Sequence, residues 1–445
     1  MSHYKPYPAY KDSGVEWLGR VPEHWQLRRL KHMARFSGGG TPARDNPEFW
    51  SGDIPWVSPK DMKSELITGA EECITAAGLS GSSSSMVPAE RVLMVVRSGI
   101  LKHTIPVAIN SVPVALNQDM KAIWLDTDYL SSPFFMRWVQ GLNDDLLKVW
   151  LKQGATVESI EQDYLSDTLI PVPPVSEREQ IVQRLDRETA RIDALIEKKS
   201  RFIELLREKR QALITHAVTK GLDPNVTMKD SGVEWLGEVP EHWVVSRLRH
   251  NIDGPLSYGA NEAAESDEPN DPRFIRITDL HEDGALREDT FKSLPWNVAQ
   301  PYLLSDGDVL LARSGATVGK SFIYRESMGP SCYAGYLIRA RLLPSKLISK
   351  YFWLCTQSTY YWDFIAGSNI QATIQNVSGE KYANLWLAVP PIKEQQRIIN
   401  FLEEACDRLD AVRVKTERSI ELLKERRSAL ITAAVTGQID LREAV

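Results

Sequence analysis

The chain has 445 residues, 43% of them hydrophobic and 25% charged, which is typical of a folded globular protein rather than a disordered or fibrous one. This length is enough for two or three hydrophobic cores. The net charge of -6 argues against a protein that grips nucleic acid by overall charge alone, although local basic surfaces remain open.

The sequence predicts neither membrane insertion nor secretion. No apolar run approaches the roughly 20 residues that a membrane helix needs, and the first residues are polar. The four cysteines lie far apart without a CxxC pair, which excludes a zinc-finger spacing and a disulfide framework. We therefore expect a protein of the reducing cytoplasm.

The first predicted element is a short box, KDSGVEWLGRVPEHW from Lys11 to Trp25, which recurs at Lys229 to Trp243. At an offset of 218, the two copies agree at 14 of 15 positions, so the chain contains an internal duplication. His24 and His242 each lie in Glu-His-Trp. We interpret them as structural, because no nucleophile recurs at a useful spacing and the histidines show no metal-binding spacing.

A region of variable sequence follows each box, over residues 26–172 and 244–388. Both regions contain short β-like runs broken by Gly, Pro, Asn and Asp, such as RVLMVVRSG (91–99) and DVLLARSG (308–315). We predict a mixed, strand-rich α/β globule for each. The shared Arg-Ser-Gly turns indicate one fold with two different surfaces.

A long helix is predicted after each globule. Val-Pro-Pro precedes both segments, and proline disfavours helical geometry in the residue before it, which marks a boundary. Apolar residues then recur at helical and heptad spacing, and 21 of 43 positions agree between residues 177–219 and 394–436. Helices so long and one-sided need a partner, and each is the obvious partner of the other.

The predicted organisation has seven parts in chain order. These are an N-terminal box (1–25), a first globule (26–172), a central helix (173–221), a linker with the second box (222–243), a second globule (244–388), a C-terminal helix (389–437) and a tail (438–445).

These motifs resemble the DNA specificity subunit of type I restriction-modification systems over essentially the whole chain. The resemblance rests on the GxVPxHW boxes, on SGGGTP and IPWVS in the first globule, and on the PP..EQ..I helix start. Arg178 stands where Gln is usual in the first copy, and the second globule lacks the GGTP and PWVS strings. The resemblance implies two target recognition domains, each reading half of a split DNA sequence, and two helices packed antiparallel as a coiled-coil spacer.

The resemblance also implies partners. Double-stranded DNA is the ligand, two adenine methyltransferase subunits bind this chain, and two restriction subunits can join them. No cofactor is expected here, whereas the partner subunits are expected to use S-adenosylmethionine, and ATP with Mg for restriction. Like domains joined through antiparallel helices are related by a pseudo-twofold axis, so different surfaces predict an asymmetric target.

The Arg-Ser-Gly turns are the first candidates for DNA contact, because arginine can bond two acceptors of guanine and glycine permits close approach. The alternatives are surface ion pairs for Arg97 and Arg313, core packing for Trp56, and turn roles for Asn117 and Gln118. The full candidate set is Thr41, Trp56, Ser58, Lys60, Arg97, Ser98, Lys102, Asn117, Gln118, Arg276, Thr278, Arg313, Ser314, Thr317, Lys320, Gln371 and Thr373. GATVGKS is not a phosphate loop, since its glycines are too close together.

The ends of the two helices are predicted to bind a partner protein, because their apolar residues cover more than a two-helix seam requires. Packing against the box and the globule is the alternative. The candidates are Arg210, Leu213, Ile214 and Val218 in the first helix, and Arg427, Leu430, Ile431 and Val435 in the second.

Two other function classes compete with DNA recognition. One is a coiled-coil scaffold that binds only proteins, and the other is an enzyme with duplicated active sites. The sequence contains no adenine-methylation motif, cofactor loop or helicase motif, so we do not expect this chain to methylate, cut or translocate DNA alone.

Overall fold

The computed structural model describes residues 4–152, 154, 156–280, 286–368 and 376–442. The chain forms two compact units, the first made of residues 1–199 and 418–445 and the second of residues 200–417. Each unit holds one box, one globule and one half of each long helix. No helix in the described ranges combines the length and the apolar character needed to cross a membrane.

The first unit opens with the box, whose strands β1 (Tyr10–Asp12) and β2 (Arg20–Pro22) form an antiparallel hairpin. The strands of its globule are β3 (Gln26–Arg29), β4 (Ala34–Gly38), β5 (Trp50–Val57), β6 (Leu66–Ile67), β7 (Cys73–Ile74), β8 (Val92–Val95), β9 (Val107–Asn110), β10 (Ala115–Leu116), β11 (Met120–Leu125) and β12 (Leu169–Val172). Its helices are α1 (Ala76–Ser80), α2 (Ser132–Gly141), α3 (Asn143–Trp150) and α4 (Gln162–Asp167), and the first long helix α5 (Val175–Lys220) follows.

A five-stranded sheet of order β4-β11-β8-β9-β6 forms the centre of this globule. All four residues of β8 are buried, and they alternate between two cores. Val92 and Met94 face the core that contains α2 and α3, while Leu93 and Val95 face a smaller core with β10. Because both faces of β8 are buried, all of its residues are apolar, which explains the continuous apolar run in RVLMVVRSG.

The second unit repeats this plan. Its strands are β13 (Met228–Asp230), β14 (Glu238–Pro240), β15 (Val244–Arg247), β16 (Ser257–Tyr258), β17 (Arg273–Ile275), β18 (Val309–Ala312), β19 (Ser321–Ile323), β20 (Ser331–Tyr333), β21 (Leu337–Ala340) and β22 (Trp386–Val389). Its helices are α6 (Trp296–Ala299), α7 (Ser349–Cys355), α8 (Thr359–Gly367), α9 (Gly379–Ala383) and the second long helix α10 (Ile392–Val435).

The two globules share one strand order. The sheet β16-β21-β18-β19 matches β4-β11-β8-β9, and the parallel pair β17-β20 matches β5-β10. The prediction of two mixed α/β globules of one fold is therefore confirmed, as are the long helices, which span 46 and 44 residues.

Within each unit the two long helices run antiparallel. In the first, the start of α5 lies against the end of α10, where Arg427 pairs with Asp193 at 2.9 Å. In the second, the end of α5 lies against the start of α10, where Arg210 pairs with Asp410 at 3.7 Å. The two pairs occupy equivalent repeat positions, so one interhelical contact occurs twice.

A glutamate at the start of each long helix, buried in the first unit and partly buried in the second, ties the box to that helix. Glu177 accepts hydrogen bonds from the Trp25 indole at 2.8 Å and the Tyr7 hydroxyl at 2.6 Å, and it lies 2.8 Å from His24. Burial and the bond to Glu177 raise the pKa of Tyr7. In the second unit Glu394 contacts Trp243 and His242 at 3.1 and 2.8 Å. The structural interpretation of the two histidines fits this contact.

The helix ends do not present the predicted partner surface. Ile214, Val218, Leu430, Ile431 and Val435 are at most 5% exposed and belong to the two main cores. Leu213 packs against the second core as well. These apolar side chains cover a wide sector of each helix because the box and the globule pack on it. The packing alternative describes them, and Arg210 and Arg427 are engaged in the interhelical ion pairs.

Arg178, which stands where glutamine is usual, is buried with most of its guanidinium unpaired. Arg178 is 3% exposed, and only its Nη2 finds an acceptor among the described residues, the Thr127 carbonyl at 2.9 Å. Burial lowers the pKa of this guanidinium. In the second unit the equivalent Gln395 donates to the Lys346 and Pro390 carbonyls and accepts from the Ile348 amide, each at 2.8 Å.

We predict that Glu177→Ala loosens the first box. Leaving a buried donor without an acceptor costs about 1–3 kcal/mol, and Glu177 serves two buried donors. Native-state amide hydrogen exchange should show the free energy of opening near Trp25 reduced by about 2–5 kcal/mol. Glu179→Ala, an exposed carboxylate on the same helix, is the control and should leave exchange unchanged. Equal exchange in both variants would contradict the account.

Arg178→Gln is predicted to stabilise the first unit, because it removes a buried charge and two unpaired nitrogens. The expected gain in the free energy of unfolding is about 1–2 kcal/mol. The reciprocal change Gln395→Arg should destabilise the second unit by a similar amount. Urea unfolding of both variants measures this, and a loss of stability in Arg178→Gln would be evidence against the assignment.

Candidate nucleic-acid interface

Each Arg-Ser-Gly turn lies at the end of a fully buried strand. Arg97 follows β8, and Arg313 follows β18. Ser98 caps a short 3-10 helix, Gly99–Lys102, by accepting a hydrogen bond from the Ile100 amide at 3.4 Å. Lys102 is exposed at the end of that helix. Because the strand is held on both faces, the position of the turn is fixed relative to the sheet.

Three of the predicted residues of the first globule bond one aspartate, Asp119, which no sequence motif indicated, and a fourth is linked to it through Gln118. Asp119 accepts from the Arg97 Nε at 2.7 Å, from the Asn117 Nδ2 at 3.3 Å and from the Gln118 Nε2 at 3.2 Å. Thr41 donates to the Gln118 Oε1. We call Thr41, Arg97, Asn117, Gln118 and Asp119 the first cluster.

The first cluster depends on a glycine. A Cβ on Gly39 would lie 2.1 Å from the carbonyl oxygens of Leu116 and Asn117, so no larger residue fits where these two segments cross. The next residue, Gly40, donates to the Leu116 carbonyl at 2.9 Å. The SGGGTP string therefore brings Thr41 next to Gln118 by allowing close backbone contact.

Trp56 and Ser58 lie beside the first cluster, since the Asn117 amide donates to the Val57 carbonyl at 3.0 Å, but neither bonds a residue of the cluster through its side chain. Trp56 is 3% exposed and donates its indole N–H to the Gly40 carbonyl at 2.9 Å, so its ring is part of a core and not open to a base. Ser58 forms a capping box with Asp61 at the start of a 3-10 turn. Lys60 is exposed on that turn.

The second globule places Arg313 where the first has Arg97. The Arg97 amide donates to the Asp119 carbonyl, and the Arg313 amide donates in the same way to Tyr336, at 3.0 Å. Tyr336, 64% exposed, therefore replaces the aspartate. The Arg313 guanidinium lies 4.9 Å from the centre of the Tyr258 ring, and no described residue accepts from its Nε. Arg313, Tyr258 and Tyr336 form the second cluster.

The crossing glycine recurs in the second globule although the GGTP string does not. A Cβ on Gly259 would lie 2.1 Å from the Tyr333 carbonyl oxygen and 2.5 Å from that of Ala334. Ala260 then donates to Tyr333 as Gly40 does to Leu116. A glycine directly after a short β-like run was the available sequence signal for this position.

The remaining candidates of the second globule have mixed locations. Arg276 is engaged internally, since its guanidinium bonds both oxygens of the buried Asp279 at 2.7 and 3.1 Å. Thr278 is exposed on the same turn. Ser314, Thr317 and Lys320 lie on or just after the 3-10 turn that follows Arg313. Gln371 and Thr373 fall outside the described residues.

The sequence offered no signal that would have singled out Asp119 or Tyr336. Both residues follow the short strand that pairs in parallel with β5 or β17. They reach the arginine through tertiary contact across the sheet, which local sequence patterns do not record.

The described residues contain no group of three or more His, Cys, Asp or Glu side chains able to hold a metal ion. The polar groups of the two clusters are those that proteins use to bond the edges of bases: guanidinium, amide, carboxylate and hydroxyl.

Comparisons with known proteins identify the family of the chain. The profile of the type I restriction modification DNA specificity domain matches residues 22–205 and 260–422. The EcoR124I/EcoR124II specificity subunit of Escherichia coli is 35% identical over 198 residues, which are 44% of this chain and 46% of that subunit. The MjaIX specificity subunit of Methanocaldococcus jannaschii is 22% identical over 96% of both chains.

Solved structures show the same fold. A chain from a study of complex assembly and conformational transition of the type I R-M system superposes with a TM-score of 0.71 at 17% identity, covering 93% of this chain and 98% of that one. The HsdS subunit of Thermoanaerobacter tengcongensis gives 0.51 at 17% identity, covering 94% and 98%. With two matched domains that together span most of its length, the chain belongs to the family of type I restriction-modification DNA specificity subunits, which recognise DNA and do not carry the methylase or nuclease activity.

Proposed function

We propose that this chain reads a bipartite, asymmetric DNA target in the cytoplasm, with one half-site contacted by each globule. The observation that carries the proposal is the pair of clusters. Arg97 and Arg313 occupy the same position of one fold, but Asp119 accompanies the first and Tyr336 the second. Two globules of the same fold that present different side chains are expected to recognise half-sites of different sequence.

Charge supports a division of labour between this chain and its partners. Residues 26–172 contain 14 Lys and Arg against 17 Asp and Glu, and residues 244–388 contain 14 against 16. Phosphate neutralisation supplies most non-specific affinity for DNA, and neither globule has a basic excess to provide it. We assign base recognition to this chain and much of the grip on the backbone to the methyltransferase subunits.

The middle of the long helices is the surface we assign to those subunits, in place of the buried helix ends. Leu195 and Leu422 are exposed in the first unit, and their repeat equivalents Val412 and Leu205 are exposed in the second. Large exposed apolar side chains on otherwise charged helices favour a protein contact. Because the patch occurs once per unit, it supports two methyltransferase copies per chain, to which restriction subunits are added.

The experiment that tests the function is co-expression of this chain with the methyltransferase subunit encoded beside it, followed by genome-wide mapping of N6-methyladenine. We expect a new methylated motif with two different half-sites separated by a fixed gap, absent when this chain is omitted. A stable complex with an active partner that yields no new motif would contradict DNA recognition.

Substitution of one apolar patch should remove one partner. Leu195→Glu with Leu422→Glu is predicted to reduce the complex from two methyltransferase copies to one, measured by native mass spectrometry. Leu205→Glu with Val412→Glu should have the same effect through the second unit. Ala194 and Ala411 are exposed and lie beside Leu195 and Val412. Ala194→Glu and Ala411→Glu are therefore the controls for added negative charge in the first and second units. Retention of two copies by both double variants would exclude this surface.

A further inference from the structure

We propose that Arg97 is the residue that selects a guanine in the half-site of the first globule, and that Asp119 positions it. The inference rests on the function proposed above and specifies the base that this globule reads. Among the described residues no equivalent carboxylate bonds Arg313, so the proposal concerns the first globule alone.

The Arg97 side chain is exposed but held at one edge. It is 55% exposed, and its Nε donates to the Asp119 Oδ1 at 2.7 Å. None of the described residues accepts a hydrogen bond from its two Nη groups. The two Nη groups therefore present N–H donors in one plane. The hydrogen bond from Nε to Asp119 fixes the direction of that plane.

Asp119 is itself fixed in three ways. Its backbone N–H donates to the Asn117 Oδ1 at 3.0 Å, and its Oδ2 accepts from both Asn117 and Gln118. Gln118 in turn accepts from Thr41. These bonds restrain the carboxylate before DNA arrives. A preorganised arginine loses less conformational entropy on binding than a free one, which raises the contrast between the right and the wrong base.

The free donors of the first cluster match guanine rather than adenine. Guanine presents two acceptors, O6 and N7, in the major groove, whereas adenine presents one acceptor and one donor. Adenine is read by an amide that donates and accepts at once. Asn117 is 5% exposed, and the exposed Gln118 amide is oriented towards Thr41 and Asp119, to each of which it makes one hydrogen bond. Of the exposed side chains of the first cluster, Arg97 is the one that offers paired donors and no acceptor, which is the complement of guanine.

The second cluster is built differently at the same place. Tyr336 replaces the carboxylate, and the Arg313 guanidinium stacks on Tyr258. Substitutions of Arg97 or Asp119 should therefore change the first half-site and leave the second intact, and the two halves of one target serve as each other's control.

The test uses the full complex with its methyltransferase partner and the bipartite motif found for the wild-type chain. Purified complexes of wild type, Arg97→Gln, Arg97→Lys and Asp119→Asn compete for duplexes that carry each of the four bases at every position of the first half-site. We expect the wild type to prefer guanine at one position by about tenfold to a hundredfold. Arg97→Gln should lose that preference there only, because glutamine replaces paired donors by one donor and one acceptor. Arg97→Lys should weaken the preference, since the ammonium keeps the charge and its donors but lacks the planar pair that Asp119 orients.

Asp119→Asn should reduce the same preference without abolishing it, because the arginine remains but is less well oriented. A purely structural role of Asp119 would weaken binding to all four bases equally. The proposal is overturned if Arg97→Gln keeps the full guanine preference, or if the variants lose affinity uniformly at every position. Absence of any bipartite motif for the wild-type chain would instead refute the proposed function.

Discussion

The architecture depends on one glutamate carboxylate in each unit, buried in the first and partly buried in the second. Glu177 and Glu394 lie at the start of the two long helices and accept the indole N–H of the box tryptophan. Since a buried carboxylate without donors is costly, the box, the helix and the strand that leads into the helix must come together at the same point. The first unit strengthens this contact with Tyr7 and with Arg442, which lies 3.7 Å from Glu177. The near-identity of the two boxes follows from this shared requirement.

A rigid backbone allows the side chains of the recognition surface to vary. The buried strands β8 and β18 and the crossing glycines Gly39 and Gly259 fix the backbone on which Arg97 and Arg313 are carried. The side chains beside these arginines contribute to neither core, so they can differ without loss of stability. Divergence of Asp119 and Tyr336 on a preserved backbone is the physical basis for two half-sites from one fold.

Much of the fold could be predicted from the sequence, because its signals are local. The duplicated box, the Val-Pro-Pro helix starts and the apolar alternation of RVLMVVRSG indicate the repeat, the long helices and the central strands. The candidate site was only partly predictable. Arg97, Gln118 and Thr41 were recognised as residue types, but the contacts of Arg97 with Asp119 and of Thr41 with Gln118 are tertiary. The apolar helix ends were assigned to a partner, although the boxes and the globules of the same chain cover them.

The central claim is that each globule reads its own half-site independently of the other. The most direct measurement is the methylation motif of a chain in which residues 26–172 are replaced by a second copy of residues 244–388. The account predicts a palindromic motif built from two copies of the second half-site. A motif that stays asymmetric, or that retains the first half-site, would contradict it.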